Sequence, residues 1–150
     1  MIEIIKTDST NPDFVALVVA LDADLKIRDG DDHDFYNQFN GIDAIQYALV
    51  AYIDEIPIGC GAIKEFDSNT MEVKRMYTPP EFRGQGIASK ILESLEQWTA
   101  ELGYKNCILE TGKAQPEAIA LYKNKNYEII PNYGPYTGVE NSVCFYKKVK

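Results

Sequence analysis

The sequence contains little of what several classes of protein require. Its 150 residues include three cysteines and one histidine. Cys60, Cys107 and Cys144 each lie in an apolar stretch, and none belongs to a Cys-x-x-Cys pair. An odd number of isolated thiols favours small buried cysteines over a disulfide framework. With His33 as the one imidazole, we expect no metal site.

Basic residues and long apolar runs are also scarce. Lys and Arg total 15 against 23 Asp and Glu, a formal net charge of −8, and this disfavours a nucleic-acid partner because phosphate backbones are bound by clusters of Lys and Arg. No apolar run approaches the roughly 20 residues that a helix needs to span a bilayer. The start of the chain lacks the basic and long apolar regions of a signal peptide. We expect a cytoplasmic protein without a membrane partner.

The residues that are present suit one globular domain over 1–150, since 45% of them are hydrophobic. Apolar periodicity and turn signals predict strands at 2–5, 47–53, 56–63, 71–78, 106–111, 127–130 and 142–148. Helices are predicted from Asn11-Pro12 to near Gly30, from 87 to 102, for about ten residues from Pro116, and within 35–45. The order predicts an α/β fold with a mixed sheet of six or seven strands and helices on both faces. Gly59 and Gly61 predict a strand that another backbone approaches closely.

The most informative segment is 81–89, Glu-Phe-Arg-Gly-Gln-Gly-Ile-Ala-Ser. It joins a predicted strand to an amphipathic helix. Glycines in such a turn let backbone N–H groups face a ligand, and a helix N-terminus attracts an anion. Arg83 adds a positive charge beside the turn, so the segment predicts a pyrophosphate site. A flexible turn that only caps a core helix is the alternative.

Two motifs in this sequence resemble those of the GNAT superfamily of N-acetyltransferases. Arg83-x-x-Gly86-x-Ala88 resembles the family's acetyl-CoA pyrophosphate motif, Gln/Arg-x-x-Gly-x-Gly/Ala. Residues 115–127 resemble its Asn-x-x-Ala-x-x-Leu-Tyr-x-x-x-Gly-Phe/Tyr helix and strand, with Gln115 in place of Asn and Asn126 in place of Gly. Asn is the next most tolerant residue of left-handed backbone. The resemblance covers roughly residue 3 to the C-terminus.

The resemblance implies an enzyme that moves the acetyl group of acetyl-CoA, its co-substrate, to a primary amine of a small-molecule acceptor by direct attack on the thioester. It also implies a mostly antiparallel sheet in which two parallel strands splay apart and expose main-chain groups to the thioester and the pantetheine arm. The cofactor-binding residues implied in this way are Met76, Tyr77, Thr78, Arg83, Gly84, Gln85, Gly86, Ile87, Ala88, Ser89 and Gln115.

The family's motif places a catalytic acid at Tyr122. A phenol with a pKa of about 10 can donate a proton to a departing thiolate whose conjugate acid has a similar pKa. The competing interpretation is that Tyr122, next to Leu121 on the inner face of a helix, is a core residue with its hydroxyl at the surface.

Two carboxylates are candidates for the base that deprotonates the amine. Glu72 and Glu110 lie in the strands that flank the turn and its helix, near where the splayed strands of the family would place such a group. Either residue could instead be an edge-facing or ion-paired side chain, for example with Lys74 or Arg75. Some enzymes of this class use a chain of water molecules, so neither is required.

Other functions remain open from the sequence. A non-catalytic module that binds or senses acyl-CoA would keep the phosphate turn and lose the acid. A Rossmann enzyme would use Gly84-x-Gly86-x-x-Ser89 for a dinucleotide and Glu110 for a ribose. The sequence does not decide between a monomer and a homodimer.

The acceptor pocket is expected between two irregular segments, 29–41 and 131–141. The first is acidic, with Asp29, Asp31, Asp32 and Asp34, and the second carries Tyr133 and Tyr136. Carboxylates with aromatic rings suit a cationic acceptor, whereas a solvated loop face is the plainer interpretation of the same charges.

Overall fold

A computed structural model describes residues 1–30 and 45–150. The strands are β1 (Glu3–Thr7), β2 (Tyr47–Ile53), β3 (Ile56–Asp67), β4 (Thr70–Tyr77), β5 (Asn106–Gly112), β6 (Glu128–Ile130) and β7 (Ser142–Lys148). The helices are α1 (Pro12–Asp29), α2 (Ile87–Glu101) and α3 (Pro116–Asn124), and short 3₁₀ turns occupy Pro80–Phe82 and Gly134–Tyr136. All but the last residue of the helix predicted within 35–45 lie outside the described part of the chain.

The described strands form a seven-stranded sheet in the order β1-β2-β3-β4-β5-β7-β6. Neighbouring strands are antiparallel except for β4 and β5, which are parallel and connected through α2. A parallel pair needs such a crossover. The predicted mixed, mostly antiparallel sheet is confirmed, and the Rossmann alternative is wrong because that fold requires a mostly parallel sheet.

The two faces of the sheet bury separate hydrophobic clusters. The face toward α1 buries Phe14, Leu17, Val18, Ile45, Ala48, Val50, Cys60 and Ala62. The face toward α2 and α3 buries a larger cluster that includes Leu49, Ile63, Met71, Val73, Ile91, Leu95, Leu109, Tyr122 and Phe145. The expected helices on both faces are thus observed. Because side chains alternate along a strand, Glu72, Lys74 and Glu110 point to the α1 side of the sheet.

Short polar signals set the ends of several elements. The side chain of Asn11 accepts hydrogen bonds from the amides of Asp13 and Phe14 at 2.8 and 3.1 Å, so the predicted N-cap of α1 is confirmed. Asp54 and Glu55 join β2 to β3 with φ values of +50° and +67°, which is the two-residue turn that suits the twist of a hairpin. Asn126 follows α3 with φ +71°, the left-handed conformation expected at that position.

Gly59 and Gly61 of β3 leave room for neighbouring atoms to pack closely against the strand, and most of these atoms belong to side chains. A Cβ atom at Gly59 would lie 2.8 Å from Ile91 Cδ1, and one at Gly61 would lie 2.7 Å from Met76 Sδ and 2.9 Å from Leu95 Cδ1. The expectation that another backbone approaches this strand is therefore mostly wrong, because the closest atoms belong to side chains. The exception is the carbonyl oxygen of Tyr77, which would lie 3.2 Å from a Cβ at Gly59.

Candidate active site

The turn between β4 and α2 has the backbone form that its glycines predict. Gly84 and Gly86 both have φ +78°, a conformation that is costly for a residue with a Cβ atom. Gly86 is the N-cap of α2 and offers no side chain to the first amides of the helix. These amides and the positive end of the helix dipole can therefore interact with an anion.

Arg83 is held at the edge of the same turn. Its Nε donates to the carbonyl oxygen of Thr78 at 2.7 Å, and its Nη2 lies 3.8 Å from Asp24 Oδ2 on α1. The guanidinium also lies over the ring of Tyr77, 5.8 Å from the centroid. About a third of the side chain is exposed, so this cation is both oriented and accessible to an anion on the turn.

The parallel pair of strands is short, and a cleft opens where it ends. β4 and β5 pair only from Thr70 with Asn106 to Glu72 with Ile108, although both strands continue. A cavity of about 360 Å³ lies beyond this point. It is lined by these residues from the predicted site: Glu72, Met76, Tyr77, Thr78, Arg83, Gly84, Gly86, Ile87, Ala88, Ser89, Glu110, Gln115 and Tyr122.

Gln85 is the predicted site residue that the structure does not place in the lining. Its side chain is exposed, so a contact would have to come through its backbone. Gln115 lines the cavity and is the N-cap of α3, but its side chain accepts no hydrogen bond from the helix.

A β-bulge interrupts β4 beside the cleft. Cys60 pairs with Tyr77 and Ala62 with Lys74, so Arg75 and Met76 together oppose Gly61. Arg75 has φ +58°, which is uncommon for a residue with a side chain in a strand. Its guanidinium is buried and pairs with Asp22 of α1, with Nη2 to Oδ1 at 2.7 Å. The bulge turns the main chain around Met76, one of the residues expected to bind the cofactor, and no pattern in the sequence predicts it.

Glu110 combines burial with one strong hydrogen bond. The hydroxyl of Ser142 donates to its Oε2 at 2.7 Å. Burial raises the pKa of the Glu110 carboxyl to about 7, while the bond from Ser142 and the charge of Lys74 act in the opposite direction and Asp29 and Glu72 add to the increase. A carboxyl with this pKa exchanges its proton near neutral pH, as a general base must.

Glu72 is held by two partners. Its Oε2 accepts a hydrogen bond from the hydroxyl of Tyr133 at 2.6 Å, and its Oε1 lies 3.7 Å from Lys74 Nζ. Burial lowers the pKa of Lys74, and Glu72 offsets part of that effect. Tyr133 packs edge-on against Phe66 and Tyr136, with ring centroids 5.2 and 5.8 Å apart. Glu72 therefore connects β4 to the segment between β6 and β7, which agrees with the ion-paired interpretation.

Tyr122 has features of a core residue and also of a catalytic acid. Its ring packs against Tyr127 and Phe145 at centroid distances of 5.7 and 5.6 Å, and the residue is 5% exposed. It also lines the cavity. Burial first, and the charge of Glu110 second, raise the pKa of its phenol, so the group remains protonated at neutral pH.

Several side chains of the cleft were not identified as site residues from the sequence. Asp24 of α1 lines it, and Ser142 of β7 is bonded to Glu110 in its lining. Nothing in the local sequence of either residue indicates this. Arg28 of α1 pairs with Asp24 at 3.1 Å and with Glu117 of α3, so an ion-pair chain spans two helices that line the cavity. Contacts between segments far apart in the chain carry no local signal, and they become visible only in the folded structure.

The three cysteines are buried and free. Burial raises the pKa of Cys60 to about 12 and those of Cys107 and Cys144 to about 11, so they remain thiols. No cluster of three or more His, Cys, Asp or Glu within residues 1–30 and 45–150 could hold a metal ion. Over the same residues, no helix combines the length and apolar character needed to cross a membrane.

Comparison with known proteins agrees with the fold and the cleft. Residues 15–127 match the model of the acetyltransferase (GNAT) family. An IAA acetyltransferase of Azospirillum brasilense is 37% identical over 89 residues, which are 59% of this chain and 58% of that protein. The chain thus spans little more than half the length of this relative.

Solved structures extend the similarity over the whole chain. A Klebsiella pneumoniae protein assigned to the acyl-CoA N-acyltransferases has a TM-score of 0.84 and 30% identity, covering 100% of this chain and 99% of its own. A GNAT acetyltransferase of Elizabethkingia anophelis with acetyl-CoA bound has a TM-score of 0.71 at 18% identity, covering 98% and 97%. The predicted family and fold, and at the level of the family the enzyme class and co-substrate, are confirmed. This chain belongs to the GNAT family of acetyltransferases.

Proposed function

We propose that residues 1–150 form a single catalytic domain that transfers the acetyl group of acetyl-CoA to the primary amine of a small, cationic acceptor. The observation that carries the proposal is one cavity that joins the phosphate turn to Tyr122 and Glu110. A cavity that only bound a nucleotide would not need a carboxyl and a phenol in its lining. Both groups suit the two proton transfers of this reaction.

The cofactor would bind along the splayed part of β4. Main-chain amides from Gly84 to Ser89 and the Arg83 guanidinium would hold the pyrophosphate. The pantetheine arm would follow Tyr77 and Thr78 toward the bulge, with Gln115 on its other side. The thioester carbonyl would then face the amide of Met76, a main-chain donor where charge develops during attack.

Glu110 is the better candidate for the general base. With a pKa of about 7, it can accept a proton from the acceptor's ammonium group at neutral pH. The neutral amine attacks the thioester carbon, a C–N bond forms, and the C–S bond breaks. Glu72 is less suited because Tyr133 and Lys74 already engage its two oxygens; we propose that it positions the wall of the acceptor pocket.

Tyr122 would protonate the departing thiolate. Its phenol is protonated at neutral pH because burial raises its pKa, and it lines the same cavity as Met76 and Glu110. The attacking nitrogen loses a second proton as the amide forms, and this proton restores the phenol. The reaction yields an acetylated amine, free CoA and the one proton that Glu110 releases to the solvent, without any other reactant.

The part of the cavity that contains Glu72 and Glu110, where the acceptor would bind, has a charge that suits a cationic substrate. Asp29, Glu72 and Glu110 line it together with the ammonium of Lys74, so carboxylates are in excess. Tyr136 adds an aromatic surface, which also suits a cation. The aspartates 31, 32 and 34, on which the expectation first rested, lie outside the described residues.

An amine panel would test the proposal. Purified protein is incubated with acetyl-CoA and, separately, diamines, neutral amines, acidic amino acids and peptides with a free N-terminus, and CoA release is followed by a thiol reagent. We expect release above the rate of hydrolysis with small cationic amines. Calorimetric binding of acetyl-CoA without thiol release for any amine would show a binding or sensor module instead, and release with peptides alone would show a protein acceptor.

A further inference from the structure

Ser142 and Glu110 form a close pair between two strands that are far apart in the sequence. Ser142 begins β7 and is 4% exposed. In the ladder between β5 and β7, Glu110 pairs with Cys144 and Gly112 pairs with Ser142. Ser142 is therefore the diagonal neighbour of Glu110 on the same face of the sheet. Its hydroxyl donates to Glu110 Oε2 at 2.7 Å, a length typical of a bond to a charged acceptor.

We propose that Ser142 is a positioning residue for the proposed reaction: its hydroxyl holds the Glu110 carboxylate in one orientation and stabilises the ionised form, and thereby sets the pH range in which the base works. This proposal rests on the proposed function, because it assigns Glu110 as the base. The bond engages Oε2, so proton transfer from the acceptor can use Oε1.

The groups around Glu110 explain why this bond has a large effect. Burial is the main influence and raises the pKa of the carboxyl, and the bond from Ser142 is the strongest influence in the other direction. Within residues 1–30 and 45–150, the titratable groups that face Glu110 are Asp29 from α1, Glu72 and Lys74 from β4, Tyr122 from α3 and Cys144 from β7. Without the Ser142 hydroxyl, burial, Asp29 and Glu72 would still raise the pKa of Glu110. Among these groups, Lys74 alone would then lower it.

The second carboxylate of the cleft supplies a matched control. Tyr133 donates its hydroxyl to Glu72 at 2.6 Å, a bond of nearly the same length from the same part of the chain. Tyr133→Phe removes a comparable hydrogen bond from Glu72 and leaves the bond between Ser142 and Glu110 in place. The Tyr133→Phe variant should therefore leave the titration of Glu110 unchanged, even if it alters the binding of the acceptor.

The test is the pH profile of kcat/KM for wild-type protein and for Ser142→Ala, Ser142→Thr and Tyr133→Phe. A base acts only when deprotonated, so activity rises with pH through the pKa of Glu110. In Ser142→Ala, this acidic limb should move to higher pH by about one unit. At a pH below the limb, kcat/KM should therefore be about tenfold lower than in the wild type, and at high pH it should return to the wild-type value. Ser142→Thr keeps a hydroxyl and should restore the wild-type limb, and Tyr133→Phe should not shift it.

A uniform loss of rate at every pH with an unmoved limb, or an unchanged profile, would overturn the proposal. If Ser142→Ala does not fold, Ser142→Cys, close in volume and a weaker donor, serves in its place. Carbon-13 titration of the Glu110 carboxyl in the same variants gives a readout without catalysis. A shifted carboxyl titration together with full activity of Glu110→Gln would retain the positioning by Ser142 and reject Glu110 as the base.

Discussion

The two ends of the cleft are built in different ways. The end proposed to bind the cofactor, called the cofactor end, consists of the last residues of β4, the turn at 83–86 and the first turn of α2, within one continuous stretch of sequence. The end proposed to bind the amine, called the acceptor end, consists of side chains from α1, β4, β5, β7 and the segment between β6 and β7. The first end offers main-chain amides, and the second offers carboxylates whose charge depends on their neighbours.

This difference predicts how each end responds to change. Main-chain donors cannot be removed by a side-chain substitution, so the cofactor end is sensitive to backbone conformation. Side-chain groups can be removed one at a time, so the acceptor end is sensitive to charge and hydrogen bonding. Substitutions at the two ends should therefore alter different kinetic constants.

The largest effect is expected at Glu110. Glu110→Gln keeps the size of the side chain and removes the base, so kcat/KM at about pH 8 should fall by about 10²-fold to 10⁴-fold. Glu72→Gln still accepts from Tyr133 and should cost less than tenfold. Steady-state kinetics of both variants at saturating acetyl-CoA provide the measurement, and equal losses in the two would contradict the different roles given to the carboxylates.

The same substitution should stabilise the protein. The pKa of Glu110 is raised from 4.5 to about 7, so the unfolded chain ionises first, and the folded state loses relative stability as pH rises through that window. Glutamine cannot ionise. The free energy of unfolding of Glu110→Gln should exceed that of the wild type by a margin that grows between about pH 5 and pH 8, to on the order of 3 kcal/mol. Urea denaturation at both pH values measures this margin, and a margin independent of pH would show that Glu110 is not destabilised by burial.

Tyr122 lines the same cavity as the two ends, and its loss should affect the chemical step alone. Tyr122→Phe should lower kcat by about 10²-fold with little change in the affinity for acetyl-CoA, because the acid acts only as the thiolate departs. Tyr127→Phe is the control, since its ring packs on that of Tyr122 at 5.7 Å and Tyr127 does not belong to the cavity lining. A Tyr122→Phe protein with the wild-type rate would make Tyr122 a packing residue.

A backbone change should weaken the cofactor end specifically. Gly86→Val places a β-branched residue at φ +78° and should lower the affinity for acetyl-CoA at least tenfold, roughly 1.4 kcal/mol. Gly103→Val is matched to it, because Gly103 follows the other end of α2 at φ +94° and also has open space around its Cβ position. Calorimetry should show weaker binding for Gly86→Val alone. Similar losses in both would indicate a general effect on the helix.

The smallest effect is expected at Asp29. Asp29 is the last residue of α1. The helix dipole disfavours a negative charge at this end of a helix, so we do not expect the Asp29 carboxylate to stabilise α1. Asp29→Asn should raise KM for a diamine by a few-fold, and the advantage of the diamine over a neutral amine should shrink as salt increases. KM for acetyl-CoA should not change. An acceptor preference that is indifferent to both salt and the substitution would contradict a cationic acceptor.

The features that could be predicted from the sequence are those formed by residues close together in the chain. The phosphate turn, the N-cap at Asn11 and the left-handed Asn126 were predictable because each depends on residues close in the chain. The bulge at Arg75 was not, because an arginine gives no sign that its backbone will be left-handed. The roles of Glu72 and Glu110 also remained open, since their difference arises from Tyr133 and Ser142, which lie 61 and 32 residues away.

Gly59 and Gly61 have a consequence for how this site could vary. They lie under Ile87, Ile91 and Leu95 of α2, and the N-terminus of that helix is the phosphate turn. The absence of two methyl groups from β3 thus lets α2 pack close to the sheet. No residue of β3 lines the cavity, so a substitution at Gly59 or Gly61 that displaces α2 would move the proposed pyrophosphate site without touching a bound ligand.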